Sequence, residues 1–173
     1  EPLMYFNEVI LPISKYSLKL STESNVPFTN GITTNAYFID NKIIEKMVKI
    51  KMTSFQIPID GSETKHNSVK NMEGKGHYKR IIGNVNSICE KIENASVVLR
   101  INYDKNTLRT ISDVIDDIRP ENRKNIFVDF QRVWQVPLSV DENGNNQILL
   151  KAIQNFEDAG FRTLNFLYKR KNN

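Results

Sequence analysis

The chain is poor in the residues that hold metals and cross-links: its 173 residues include one cysteine, Cys89, and two histidines, His66 and His77. A lone cysteine closes no internal disulfide, which favours a reducing compartment, and it cannot by itself hold a metal cluster. The two histidines are not at helical metal-pair spacing, so neither is assigned a ligand role and no metal site is expected. Any apolar run near the ~20 residues that span a bilayer is also missing, which argues against membrane insertion and for a cytoplasmic location. The opening Glu1-Pro2-Leu3-Met4 has no basic region and no initiator methionine at position 1. It reads as an interior cut of a longer protein, not as a targeting signal. Dense positive charge is absent too: the net charge is +4, and the one cationic cluster is Lys169-Arg170-Lys171. A solvated tail explains that cluster better than a nucleic-acid site.

What is present is ordinary for a globular protein, with 39% hydrophobic and 25% charged residues in a length that suits a single domain over 1–173. From residue 5 to 21 the apolar positions Phe6, Val9, Ile10, Ile13, Leu18 and Leu20 recur at helical spacing, with Pro12 set to kink or restart the helix. Asn30-Gly31 marks a turn before a first strand over 32–35. Asp40 is placed to cap a helix carrying Ile43, Ile44, Met47 and Val48, and a second strand follows over 53–59. Residues 62–77 form a long polar loop of the kind that is usually functional or mobile. A helix from Tyr78 then carries Ile81, Ile82, Val85, Ile88, Cys89 and Ile92 on one face, with Cys89 a small buried side chain in it. A strand over 97–102, a helix over 107–118 and a strand over 126–130 come next. Residues 141–146 read as a loop, and a last helix over 147–159 ends at Gly160 in the C′ position before an extended piece at 164–167. Strand and helix alternate, which predicts an α/β fold with a parallel sheet and right-handed crossovers.

In such sheets ligands gather outside the carboxyl ends of the strands, so the stretch Ser54-Phe55-Gln56-Ile57-Pro58-Ile59-Asp60-Gly61 aims Asp60 at a pocket. Read from the residues alone, Asp60 is either a ligand contact or an Asp-Gly strand terminator, and Asn35 either a polar contact or a turn cap. Arg100 stands within an apolar strand, where a charge must be paired or face a cavity. Asp129 and Gln131 share a face if their strand is regular.

Several stretches resemble one family. Glu1-Pro2-Leu3 is similar to the end of a Gly-Gly-Glu-Pro motif, and Ile32-Thr33-Thr34-Asn35-Ala36 to a Thr-Thr-Asn-Gly strand end. Gln56-Ile57-Pro58-Ile59-Asp60-Gly61 resembles a Gln-Ile-Ser-Leu-Asp-Gly strand, followed by His66 and then by Gly74-Lys75-Gly76-His77-Tyr78 in the expected order. Together they resemble the radical S-adenosylmethionine enzymes of the SPASM-containing type, relatives of anaerobic sulfatase maturases and peptide-modifying enzymes. The match runs from position 1 to about Val136.

The resemblance implies the C-terminal part of a parallel-stranded partial (β/α) barrel, about four βα units, lacking the CxxxCxxC segment whose three thiolates hold a 4Fe–4S cluster. It implies S-adenosylmethionine and that cluster as cofactors of an intact parent, with none expected bound to this chain. In the parent, a 5′-deoxyadenosyl radical would abstract a hydrogen from a peptide or protein side chain. Cofactor contacts fall on Glu1, Asn35, Asp60 and Arg100, a catalytic position on Asp129, and substrate contacts on Gln131 and Trp134. For Arg100 the cofactor carboxylate and a structural pair with Asp60 or Asp129 are both open. Pro58 departs from the family, which usually has Ser or Thr there; Ala36 replaces Gly, Asn67 an Asp and Lys70 an Arg. A strand edge left open near residues 32–35 predicts self-association. The rival readings are a non-catalytic α/β binding domain, which Pro58 favours, and a conventional acid/base barrel enzyme, for which no His–carboxylate or paired-carboxylate constellation is evident.

Overall fold

The computed structural model describes residues 1–72, 75–133 and 142–164. A 3-10 turn, Pro2–Tyr5, and a wider π turn, Phe6–Ile10, run without a break into helix α1, Leu11–Glu23. Pro12 falls in the first turn of α1, where its missing N–H costs nothing, so it restarts the helix in its α form. Strand β1, Asn30–Thr33, comes next, two residues earlier than the sequence pattern suggests at each end. Helix α2, Asn41–Lys49, is capped by the Asp40 carboxylate, which accepts from the N–H of Ile43 at 2.8 Å. Strand β2 is Met52–Ile59.

The stretch 62–77 is not the long loop its polarity suggests. It holds helix α3, Glu63–Val69, and a small antiparallel hairpin of β3, Asn71–Met72, with β4, Lys75–Gly76. Local capping explains how so polar a segment folds: Asn67 Oδ1 accepts from the N–H groups of His77 and Tyr78 at 3.0 and 3.1 Å, tying α3 to the start of α4, Tyr78–Lys91. Strand β5 is Ser96–Tyr103. The helix expected over 107–118 is two short ones, α5, Lys105–Thr110, and α6, Asp113–Asp117, and Pro120–Asn125 forms a 3-10 turn. Strand β6 is Ile126–Arg132, helix α7 Glu142–Asp158 and strand β7 Arg162–Leu164. Helix α7 therefore begins within the stretch read as a loop over 141–146. Its C-terminus is as expected, with Gly160 at φ 93° in the left-handed region.

The large sheet is entirely parallel, in the order β1-β2-β5-β6-β7. Each new strand is added on the same side of the last, so right-handed crossovers lay every connecting helix on one face. Doubly wound sheets reverse direction midway; this one does not, so the parallel sheet that the strand–helix alternation predicts has the form of the α/β partial barrel that the resemblance implies. The covered face carries the core: Phe55, Ile57 and Ile59 of β2, Val97, Leu99 and Ile101 of β5, and Ile126 and Val128 of β6 are buried against Ile81, Ile82, Val85 and Ile88 of α4 and Met47 of α2. The alternate residues point to the inner face. They are half-buried and mostly polar: Gln56 and Pro58, then Val98, Arg100 and Asn102, then Asp129 and Gln131.

Candidate functional site at the C-terminal rim

Glu1 is tied to the end of β1. Its carboxylate accepts from the N–H of Leu3 at 3.2 Å, from the hydroxyl of Thr34, and from the N–H of Asn35 at 2.9 Å. The Asn35 side chain is a turn cap, its Oδ1 accepting from the N–H of Tyr37 at 2.9 Å. Ala36 then takes φ 59°, a conformation glycine adopts freely, and the chain leaves the sheet. This departure accounts for Pro58. Gln56 O accepts from Thr34 N at 3.0 Å, so the backbone two residues on faces the same side, where β1 has already turned away. Proline there removes no ladder bond.

Asp60, at the tip of β2, is held from two directions. Its Oδ1 accepts from Asn102 Nδ2 of β5 at 3.0 Å, and Oδ2 lies 2.7 Å from Lys70 Nζ, just after α3. Its own N–H donates to His66 Nδ1 at 3.2 Å. Both partners of the carboxylate are side chains. Burial works to raise the Asp60 pKa, but Lys70, Asn102 and the nearby His66 outweigh it and hold the carboxyl below its usual value. His66 is 1% exposed. Burial, with Lys70 and His77 nearby, lowers its pKa against the pull of Asp60. Because Nδ1 accepts, the proton of the neutral ring sits on Nε2, which is buried without a partner among the described residues. One strand further on, Asp104 accepts from Thr107 N at 2.7 Å and from Lys65 Nζ of α3 at 3.2 Å. Helix α3 is thus pinned across the tips of both β2 and β5.

Below this rim, on the inner face, Arg100 stands in register between Pro58 and Asp129. The pair with Asp60 or Asp129 is not formed, and among the described residues Arg100 has no ion pair. Asp60 is taken up by Lys70 and Asn102. Asp129 accepts from Gln131 Nε2 at 2.8 and 3.0 Å, as two residues on one strand face can. Arg100 Nε is buried and without an acceptor. Below it again, Gly31, Thr33, Ser54, Gln56, Ser96 and Val98 line a groove toward the other end of the strands.

Asn35 and Asp60 therefore stand at the ends of neighbouring strands, and Arg100 two residues before the Asn102 that binds Asp60. Trp134 lies outside the described residues. The sequence reading missed His66, Lys70, Asn102 and Thr34 as members of the rim. Period-two alternation from Arg100 would have placed Asn102 on the same face, whereas His66 and Lys70 depend on α3, which the sequence pattern does not show. Cys89 is buried in α4 as expected, and burial, helped by Glu90, pushes its thiol up to about 12. Among the described residues no helix is long and apolar enough to cross a membrane.

The architecture defines a fold class, an α/β partial barrel with an all-parallel sheet. Two solved structures share it: native anSMEcpe with bound S-adenosylmethionine, with a TM-score of 0.57 and 16% identity over 81% of this chain and 38% of that one, and Streptococcus suis SuiB bound to S-adenosylmethionine, with a TM-score of 0.52 and 18% identity over 84% of this chain and 33% of that one. The likeness is one of fold, and the chain spans about a third of either protein's length. No protein-family model matches the sequence, and no curated protein does.

Proposed function

We propose that this chain is the later part of the barrel of a radical S-adenosylmethionine enzyme whose intact form modifies a peptide or protein side chain. The observation that carries the reading is a single rim. Glu1 on Thr34 and Asn35, Asp60 on Asn102, and Arg100, which has no ion pair among the described residues, lie at or just below the carboxyl ends of adjacent parallel strands. The fit differs between the two cofactors. A buried guanidinium N–H without an acceptor suits the carboxylate of S-adenosylmethionine, and the polar ends of β1 and β2 suit its amino group and ribose. An iron–sulfur cluster has no fit to the residues of this chain, since three thiolates hold it and the chain has one cysteine, Cys89. In an intact parent, S-adenosylmethionine would supply the hydrogen-abstracting radical. This chain would bind and orient the cofactor through Glu1, Asn35, Asp60 and Arg100, and present Asp129, Gln131 and Trp134 to the substrate. By itself the chain is inert.

Backbone NMR of the chain titrated with millimolar S-adenosylmethionine tests this. The expected result is weak binding that shifts the amides of Asn35, Asp60, Arg100 and Asn102 and is lost in Arg100→Met. Shifts confined to the opposite end of the strands, or a coding frame with no CxxxCxxC upstream of Glu1, would overturn it. In that event the non-catalytic α/β binding domain becomes the better reading.

A further inference from the structure

Past Gln56 one side of β2 has no strand beside it, since β1 pairs with it only as far as Thr33 and Thr34 N. Pro58 has no N–H to leave open on that side. The N–H of Asp60, which faces the same way, is taken by a side chain: His66 Nδ1 of α3, in a residue 1% exposed, accepts it at 3.2 Å. The ring reaches this donor because Gly61, at φ 115°, turns the chain back, and His66 N donates to Ser62 O at 2.8 Å as α3 begins. With its peptide N–H held, Asp60 directs its carboxylate to Asn102 Nδ2 at 3.0 Å. A second partner for Nδ1 stands close by: Asp60 Oδ2, 3.8 Å away.

We infer that His66 is a positioning residue for Asp60: through a neutral Nδ1 it holds the Asp60 carboxylate on the inner rim, and on protonation it draws that carboxylate away, so that S-adenosylmethionine binding follows the charge on His66. The inference rests on the cofactor role proposed for Asp60. A neutral imidazole whose Nδ1 accepts carries its proton on Nε2, whereas an imidazolium has a donor at each nitrogen and no lone pair for the Asp60 N–H. Protonation therefore leaves the backbone donor open and facing a second donor. It also offers Oδ2 a charge-assisted bond toward α3, away from Asn102. Among the described residues, the charged and titratable groups around the ring are Asp60 of β2, Lys70 just after α3, and His77 and Tyr78 at the start of α4. The Tyr78 ring lies 5.8 Å from that of His66, and its hydroxyl donates to Asp117 at 2.8 Å; burial, helped by Asp117, pushes its pKa up, so it stays neutral. Asp60 favours a charged His66, but burial, Lys70 and His77 outweigh it and keep the ring neutral at pH 7.

Titration of the 173-residue chain with S-adenosylmethionine, read by NMR from pH 7 to about 4.5 with far-UV circular dichroism as the check on folding, tests this. The affinity is expected to fall as His66 titrates, by about tenfold once the ring is charged. The imidazole nitrogen shifts are expected to report Nε2–H at pH 7, and the Asp60 amide and the Asn102 side-chain amide to move with the same titration. His66→Asn puts an amide oxygen, which does not titrate, in the place of Nδ1. It is expected to bind at pH 7 as the wild type does and to abolish the fall, although His77 is still there to titrate. His66→Gln puts its oxygen nearer the place of Nε2 and is expected to bind about tenfold more weakly at every pH. A wild-type ring carrying Nδ1–H at pH 7, which is read without variant or ligand, or a fall in affinity that His66→Asn retains, overturns the inference and leaves the proposed function standing. No binding by the wild-type chain at any pH overturns the proposed function, and this inference with it.

Discussion

Replacing Arg100 with methionine should stabilise the protein, and the sign of that change separates two roles for the residue. A guanidinium with its Nε buried and no acceptor carries an unmet desolvation cost of about 1–3 kcal/mol. Methionine keeps most of the apolar stem that packs on the inner face between Pro58 and Asp129, and brings no donor to satisfy. Asp129 loses nothing, because Gln131 already donates to both of its oxygens. The expected gain is therefore about 1 kcal/mol, a rise of roughly 2–4 °C in Tm for a chain of this length. Had Arg100 been one half of a buried ion pair, the same substitution would cost about 3–5 kcal/mol by stranding its partner. Urea unfolding at neutral pH followed by far-UV circular dichroism, with calorimetry alongside, measures the difference. A loss of more than about 1 kcal/mol would refute the view that Arg100 is kept for a ligand and not for the fold.

Acidification should loosen the rim. His66 has a lowered pKa, so below its ordinary 6.5 the unfolded chain takes up a proton that the folded chain refuses, and stability falls with pH until the folded value is reached. Asp60, also lowered, contributes stability above its ordinary 3.8 that is lost as pH falls through the folded value. Tm should therefore drop between pH 7 and 5, and His66→Gln should flatten that slope while leaving the more acidic one. Asp60→Asn should cost about 1–2 kcal/mol by removing the partner of Lys70, with faster amide exchange concentrated in α3; uniform exchange would count against the pinning. Gly31→Ala puts a Cβ at 2.8 Å from both the Cβ and the backbone oxygen of Ser54 and should destabilise by about 1–3 kcal/mol, read in urea. Cys89, its thiol pushed up to about 12, should resist alkylation in native protein and react once urea unfolds the chain.

The strands and long helices were legible because burial imposes a period. Ile81 to Ile92 repeats at helical spacing, and Val97, Leu99 and Ile101 alternate because one face of β5 meets helices and the other does not. Helix α3 was not legible. It is seven residues long, lacks an apolar stripe, and is held by Lys65 and Lys70 on the acidic strand tips and by the Asn67 cap, all partners distant in sequence. The same limit hid half the rim. Asp60 and Arg100 stood out as charges at the end of or within apolar strands, but that Lys70 meets Asp60 depends on α3, and that Asn102 donates to it depends on register between strands some forty residues apart. The setting of Pro58 was hidden for a related reason: whether a proline breaks a ladder depends on whether a neighbour is still alongside, and β1 has ended there.

The charges at the rim also constrain the sign of what binds. Glu1 accepts from Leu3, Thr34 and Asn35, Asp60 from Asn102 with Lys70 alongside, Asp104 from Thr107 with Lys65 alongside, and Asp129 from Gln131. Each acid accepts at least one hydrogen bond from the chain itself. An anionic group meets Arg100 with an N–H still open, in a half-buried strand where a charge-assisted bond is stronger than in water. On the proposed reading, a ligand that brings a carboxylate or similar group would therefore meet Arg100.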